Sequence, residues 1–478
     1  MDGGEERKMK QEEWRNEFAG RKILIWGFGR EGRSSLLWIR TVCPGLPLDI
    51  ADGTITESLK SEVQSYGNVR LLAQDNVDFS SYDMILKAPG IPVPTSFDRS
   101  NLTQQTHLFL KHHGFQTIGI TGTKGKSTTT SLVHTVLSQQ YTCHLIGNIG
   151  IPCFDILPVL EETDLCAFEI SCHQLEDCPY SPHTAVFLNL YQEHLDHYAD
   201  YQAYGNAKAN IFRHQKPGET AILNQELFCA EERTDALLIG RDIRAEGHLL
   251  IAGSHMLEVT DCSLIGAHNY LNLAVVLAVA DRYGIREDAF RSAVSSFAPL
   301  HHRLEYIGEH NGIRFVNDSI STIGQAAIAA LNSLPDTDVI LIGGMDRGID
   351  YADLEEVLKE RKDLYIIFMY ATGRRIMEEL RNQGAVHDHM ILKADLEEAL
   401  ACAKQYCRRG HIVLLSPAAS SYDHFRNFEE RGEISPAWRS NHELPYSASG
   451  LFGDSEFLRS ERACLSSGRF VRTQRRTD

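Results

Sequence analysis

Short apolar runs alternate with amphipathic stretches along most of this chain. Residues 21–26 (RKILIW) predict a buried strand that runs into Gly27-Phe28-Gly29-Arg30-Glu31-Gly32, and residues 34–40 (SSLLWIR) predict a helix after it. Further strands are expected at 46–51, just before Asp52, and at 82–86, before Lys87-Ala88-Pro89-Gly90. The same alternation resumes at 116–120 (QTIGI), followed by a glycine- and lysine-rich turn and a helical run at 128–140. Strands are also expected at 165–170, 185–190 and 220–223. Four more are expected within 312–318, 338–344, 364–370 and 411–417. Apolar runs of strand length that alternate with helical periods indicate parallel βαβ units. Three α/β blocks follow, at 1–113, 114–299 and 300–432. Residues before 21 read as a charged, polar lead-in. Residues 433–478, rich in Arg and Ser, show no period and are expected to be mobile or loosely attached.

The chain has 478 residues, which fits about three domains. The net charge of −17 disfavours nucleic acid as a partner, because neutralising a phosphate backbone needs a basic surface. There is no run of about 18 apolar residues, so no membrane span is expected. The N-terminal stretch lacks the apolar core of a secretory signal. The eleven cysteines are scattered with no CxxC pair, which predicts free thiols in a reducing cytoplasm. A monomer is expected.

Gly122-Thr123-Lys124-Gly125-Lys126-Ser127-Thr128 lies between a predicted strand and a predicted helix. Glycines let backbone N–H groups crowd a phosphate chain, and the helix N-terminus favours negative charge. Lys126 could reach the outer phosphates of a nucleotide, and Ser127 or Thr128 could ligate Mg²⁺. The strict phosphate-loop pattern would place glycine at position 120, which is isoleucine here, so this is the short form. Gly27, Gly29 and Gly32, with Asp52 after the next strand, fit a dinucleotide fingerprint. A nicotinamide cofactor, another diphosphate ligand, or a bare glycine-rich turn would each suit it.

Glu169 closes a predicted strand in the phosphate-loop block and is a natural Mg²⁺ ligand, or an ordinary strand-end acid. His194, in Asn189-Leu-Tyr-Gln-Glu193-His194, could bind metal or phosphate, or be structural. Lys208 by itself reads as a solvated helix lysine. Asn269 and Asn272 fall on one face of an apolar helix, where they could cap it or contact a ligand. Arg303 could touch an ATP phosphate across a domain joint. Asp318, the Gly343–Gly348 turn and Ser416–Ser421 end strands of the third block, where open α/β sheets bind ligands.

In this order, the stretches GITGTKGKSTTT, GNIGIP, FEISCHQLE, NLYQEHLDHY, AKANIF, GAHNYLN, HHRLEYIGEHNGIRFVNDS and LSPAASSYDHFRNFEERG resemble the Mur ligase family of peptidoglycan synthesis over roughly residues 20–432. The resemblance implies an α/β fold of three domains: a Rossmann-like N-terminal domain, a central P-loop ATPase-type domain and a Rossmann-like C-terminal domain. It implies an ATP-dependent, ADP-forming ligase that uses Mg²⁺, with UDP-N-acetylmuramoyl-L-alanine and glutamate as substrates. It places Gly27, Gly29, Gly32, Asp52 and Asn148 on the UDP substrate. Gly122 to Thr128, Asn269, Asn272, Arg303 and Asp318 fall on ATP. Ser127, Glu169, His194 and a carbamylated Lys208 become metal ligands, with Lys126, Lys208 and His194 catalytic. Thr322, Arg347, Ser421 and Phe428 surround the amino acid. Two places depart from the family pattern. Asp318-Ser319-Ile320-Ser321-Thr322 has isoleucine where the family has lysine, and Arg347 replaces another lysine, so both D- and L-glutamate stay open. A folylpolyglutamate synthase-like ligase and a P-loop module without ligation are the alternatives.

Overall fold

The computed structural model describes residues 3–94, 96–193, 197–385 and 388–433. His194 and the tail from 434, read above as mobile, lie outside the described residues. Three sheets follow one another along the chain.

The first sheet has the order Val69–Ala73, Leu48–Asp52, Ile23–Trp26, Met84–Lys87, Leu102–Thr103, and every pairing is parallel. Ile23 and Ile25 point to one face and pack with Leu36 and Ile39 of the helix Arg30–Val42, which covers the sheet. The polar lead-in expected before residue 21 is instead a helix, Gly3–Phe18. Trp14 and Phe18, four residues apart on one helical face, are 2% and 0% exposed. Trp14 meets Phe154 edge-on at 5.0 Å and donates from Nε1 to His113 Nε2 at 3.4 Å. Two apolar anchors in an otherwise charged stretch are enough to dock it, and they are too sparse to show as a period.

The second sheet has nine strands. From one edge these are Cys143–Gly147, Leu165–Glu169, Thr117–Thr121, Thr184–Phe187, Thr220–Asn224, Leu237–Ile239 and Ile243–Glu246. They pair in parallel, and two antiparallel strands, Leu249–Ala252 and His255–Glu258, finish the sheet. The helices Lys126–Leu137 and Ala267–Arg282 pack together on one face, joining Leu132, Val136, Leu273 and Val276 to Ile118 and Ile120. The third sheet has the order Glu305–His310, Ile313–Asn317, Ile412–Leu415, Thr337–Ile342, Tyr365–Met369, Met390–Lys393, parallel except at its first edge.

This topology puts the candidate chemistry at the C-terminal ends of parallel strands. The phosphate loop leaves Thr117–Thr121, Glu169 ends the strand beside it, and Asp318 follows Ile313–Asn317. Among the described residues no helix is long and apolar enough to cross a membrane, and the ten described cysteines are free.

Candidate functional site

The phosphate loop is held open by its glycines and by one asparagine. Gly125 caps the helix Lys126–Leu137 at φ +85°, a conformation that favours glycine. A Cβ there would stand 3.0 Å from Asn272 Oδ1, so the helix Ala267–Arg282 presents Asn272 directly to the loop. Asn272 Nδ2 donates to Asn269 Oδ1 at 3.4 Å, and Asn269 donates to Ile265 O at 2.8 Å. Asn269 thus braces the residue nearer the loop. Asn189 accepts from Lys124 N at 2.8 Å and donates to Lys124 O at 2.9 Å, which pins the turn from outside. The sequence pattern gave Asn189 no role, since its grip on the loop is purely tertiary. Lys126 Nζ folds over its own loop, donating to Gly122 O at 2.9 Å and Thr123 O at 3.0 Å. Ser127 is half-buried at the helix start, and Thr128 Oγ1 is buried without a hydrogen-bond partner.

Two titratable side chains are buried beside this loop. Lys208, from the helix Tyr201–Arg213, is 1% exposed, so the solvated-lysine alternative does not describe it. Its Nζ donates to Gly122 O at 2.8 Å and lies 4.9 Å from the centre of the Tyr204 ring. Burial pushes its ammonium down to about 7, with Glu193 and Glu169 opposing that shift and Lys126 adding to it. Glu169 is 1% exposed and pairs across the sheet with Ile120, just ahead of the loop. One of its oxygens accepts from Asn148 Nδ2 at 3.0 Å. The other, Oε2, is buried with no hydrogen-bond partner. A buried carboxylate oxygen without a donor is costly, and a hard oxygen donor of this kind suits Mg²⁺.

The third sheet brings its own groups to the same place. The Arg303 guanidinium is flanked by Asp318 and Glu169, and its Nε is buried without a partner. Asp318 is 5% exposed, accepts from Ser416 Oγ at 2.9 Å, and is pushed up to about 6 by burial, against the pull of Arg303. Lys124 Nζ leaves the phosphate loop altogether. It donates to Thr322 Oγ1 at 3.1 Å and lies 3.6 Å from Glu193, which in turn accepts from Thr322 at 3.2 Å. Ser421 is buried, and Phe428 is half-buried with its carbonyl accepting from Ser319 Oγ at 2.8 Å. Phe428 therefore borders the 318–322 loop, while half-buried Arg347 stands near Tyr351. Arg431, buried at 1% exposure, donates to Ser319 O and Ala419 O and ties these loops together.

In the first unit, the glycine-rich turn is closed on itself. Gly27 has φ +90°, and a Cβ on Gly32 would lie 2.2 Å from Gly27 O. Asp52 accepts from Phe28 N at 2.9 Å and from Thr54 N at 3.0 Å, so its carboxylate holds the turn in shape. Gly29 caps the following helix with open space around it. Arg30 donates to Gly150 O at 2.8 Å, and Gln174 donates to Glu31 at 2.8 Å, which brings the turn up against the Asn148 loop of the second unit. Burial raises Glu31 to about 7. Spacing alone gave no reason to single out Glu31.

Residues 120–280 match the Mur ligase middle domain, and residues 302–419 match the Mur ligase glutamate ligase domain. A UDP-N-acetylmuramoyl-L-alanine--L-glutamate ligase of Salinispora tropica is 33% identical over 88% of this chain and 97% of its own length. A UDP-N-acetylmuramoylalanine--D-glutamate ligase of Leuconostoc citreum is 31% identical over 87% and 96%. Among solved structures, MurF from Acinetobacter baumannii aligns with a TM-score of 0.58 at 18% identity, covering 79% of this chain and 88% of that one. At that identity the likeness speaks for the fold.

Proposed function

The chain belongs to the Mur ligase family, and from that premise we propose how its residues join glutamate to UDP-N-acetylmuramoyl-L-alanine with ATP. The observation that carries the reading is the trio beside the phosphate loop: half-buried Lys126 over Gly122 and Thr123, buried Lys208 on Gly122, and buried Glu169 with an oxygen that has no donor. Both relatives are named for ligation onto the same muramoyl acceptor, which does not favour a folate-type ligase.

A carboxylate is a poor acyl donor, so it must first be activated. An oxygen of the acceptor carboxylate bonds to the γ-phosphorus of ATP as the bridge to the β-phosphate breaks, giving an acyl phosphate and ADP. The glutamate amine then adds to the acyl carbon. The tetrahedral adduct collapses to the amide, releasing phosphate and a proton. Lys126 and the loop N–H groups hold the phosphates and offset their charge. Asn269 and Asn272 position the nucleotide from behind Gly125. Arg303 and Asp318 bring the third unit onto ATP, so that closure excludes water. Gly27, Gly29 and Gly32 receive the UDP part, with Asp52 keeping the turn in shape and Asn148 facing the acceptor. Thr322, Arg347, Ser421 and Phe428 receive glutamate. Ser127, Glu169, His194 and Lys208 would hold Mg²⁺, Lys208 after its neutral amine has added to CO₂ and lost a proton to give a carbamate. Bound there, Mg²⁺ would neutralise charge on the transferring phosphoryl group.

The test is phosphate release by the purified full chain with ATP and Mg²⁺, run in parallel with D- and L-glutamate. Release that needs both UDP-N-acetylmuramoyl-L-alanine and one glutamate enantiomer is expected, and that arm assigns the enantiomer. Release indifferent to the amino acid would overturn the ligase reading.

A further inference from the structure

The phosphate loop carries two lysines, and they point in different directions. Lys126 curls back over the loop's own carbonyls, where phosphates belong. Lys124 crosses to the third unit and donates to Thr322 at the end of the 318–322 loop. That loop reads Asp318-Ser319-Ile320-Ser321-Thr322 and supplies no cation of its own. Its hydroxyl at Thr322 is already committed as a donor to Glu193. Glu193 pairs with the Lys124 ammonium at 3.6 Å, a loose contact for an ion pair. Lys126 and Arg303 face Lys124 from the phosphate loop and the domain joint, with Glu193 and Asp318 as the acids near it.

We propose that Lys124 is a specificity residue for the incoming amino acid: its ammonium, with the Thr322 hydroxyl, receives a carboxylate of glutamate. The inference rests on the ligase reading above and changes the role of Lys124 within it, from phosphate ligand to amino-acid ligand. An arriving carboxylate would compete with Glu193 for Lys124 and would displace it from Thr322. The same charge could instead serve the γ-phosphate of ATP, and kinetics separate the two anions.

The experiment measures KM for glutamate, ATP and UDP-N-acetylmuramoyl-L-alanine in the full chain and in Lys124→Met and Lys124→Arg, using the enantiomer the wild type accepts. The wild-type arm tests the ligase reading by itself, since no glutamate-dependent phosphate release there would end that reading before any variant is compared. For Lys124→Met, KM for glutamate is expected to rise on the order of tenfold or more, as for the loss of one charge-assisted hydrogen bond, with KM for ATP within about twofold. Lys124→Arg keeps the charge and should recover part of the loss. A second variant, Lys124→Asn with Ile320→Lys, moves the cation onto the 318–322 loop and should also restore part of the glutamate affinity. A rise confined to ATP, an equal rise for all three substrates, or no change in any KM would each overturn the assignment. Unaltered circular dichroism and melting of Lys124→Met establish that the loss is not one of folding.

Discussion

Lys208 offers the sharpest perturbation, because its burial sets its chemistry. An ordinary lysine with a pKa near 10.4 keeps roughly one amine in 2,500 neutral at pH 7. At about 7, where burial holds Lys208, about half the amines are neutral. Only the neutral amine can add to CO₂, so the fold raises the reactive fraction on the order of a thousandfold. The carbamate that results is an anionic oxygen ligand in place of a cation, one strand away from Glu169. Lys208→Ala should therefore lower ligation by on the order of a hundredfold or more. The void it leaves beside Thr121, Gly122 and Tyr204 should admit acetate or propionate and recover part of the rate. Wild-type protein freed of CO₂ should lose activity and regain it with bicarbonate, while the alanine variant should not respond. ¹³C-labelled bicarbonate should give a carbamate resonance in the wild type alone. Full activity in Lys208→Ala, or a wild type indifferent to bicarbonate with no such resonance, would refute the reasoning.

Two further outcomes bear on stability. Burial raises Asp318 from 3.8 to about 6, so between those values the folded chain holds more protons than the unfolded one. Stability should therefore fall as pH rises through that window, by up to about 3 kcal/mol at 1.36 kcal/mol per pH unit. Asp318→Asn should flatten denaturant-melt stabilities between pH 4 and 6, and an unchanged slope would contradict the assignment. Trp14→Ala removes the anchor of the N-terminal helix and should cost about 3–5 kcal/mol. Calorimetry should show an earlier unfolding transition, whereas an unshifted one would mean that the helix adds nothing to the first unit.

Much of this architecture was legible because parallel strands buried on both faces are apolar throughout. Ile23–Trp26, Thr337–Ile342 and Ile412–Leu415 announce themselves, and the phosphate loop follows its strand with the glycines and lysine that phosphate binding needs. The strands Cys143–Gly147 and Ile243–Glu246 did not stand out, because their side chains are half-exposed or polar. The N-terminal helix was missed because two buried aromatics do not make a period. Lys208 is the instructive case among the site residues. Its spacing says surface helix, and only the packing of Tyr204 and the phosphate loop around it makes it a buried amine. Lys124 carries the converse lesson. Its place in a phosphate-binding motif suggests phosphate, while its side chain turns toward a different unit.

Ligation through an acyl phosphate is tested most directly by following oxygen. UDP-N-acetylmuramoyl-L-alanine labelled with ¹⁸O in its carboxylate is incubated with the full chain, ATP, Mg²⁺ and the accepted glutamate, and the released phosphate is analysed by mass spectrometry. Transfer of one ¹⁸O to each phosphate, matched mole for mole by amide, is the predicted result. Amide formed together with unlabelled phosphate would contradict it.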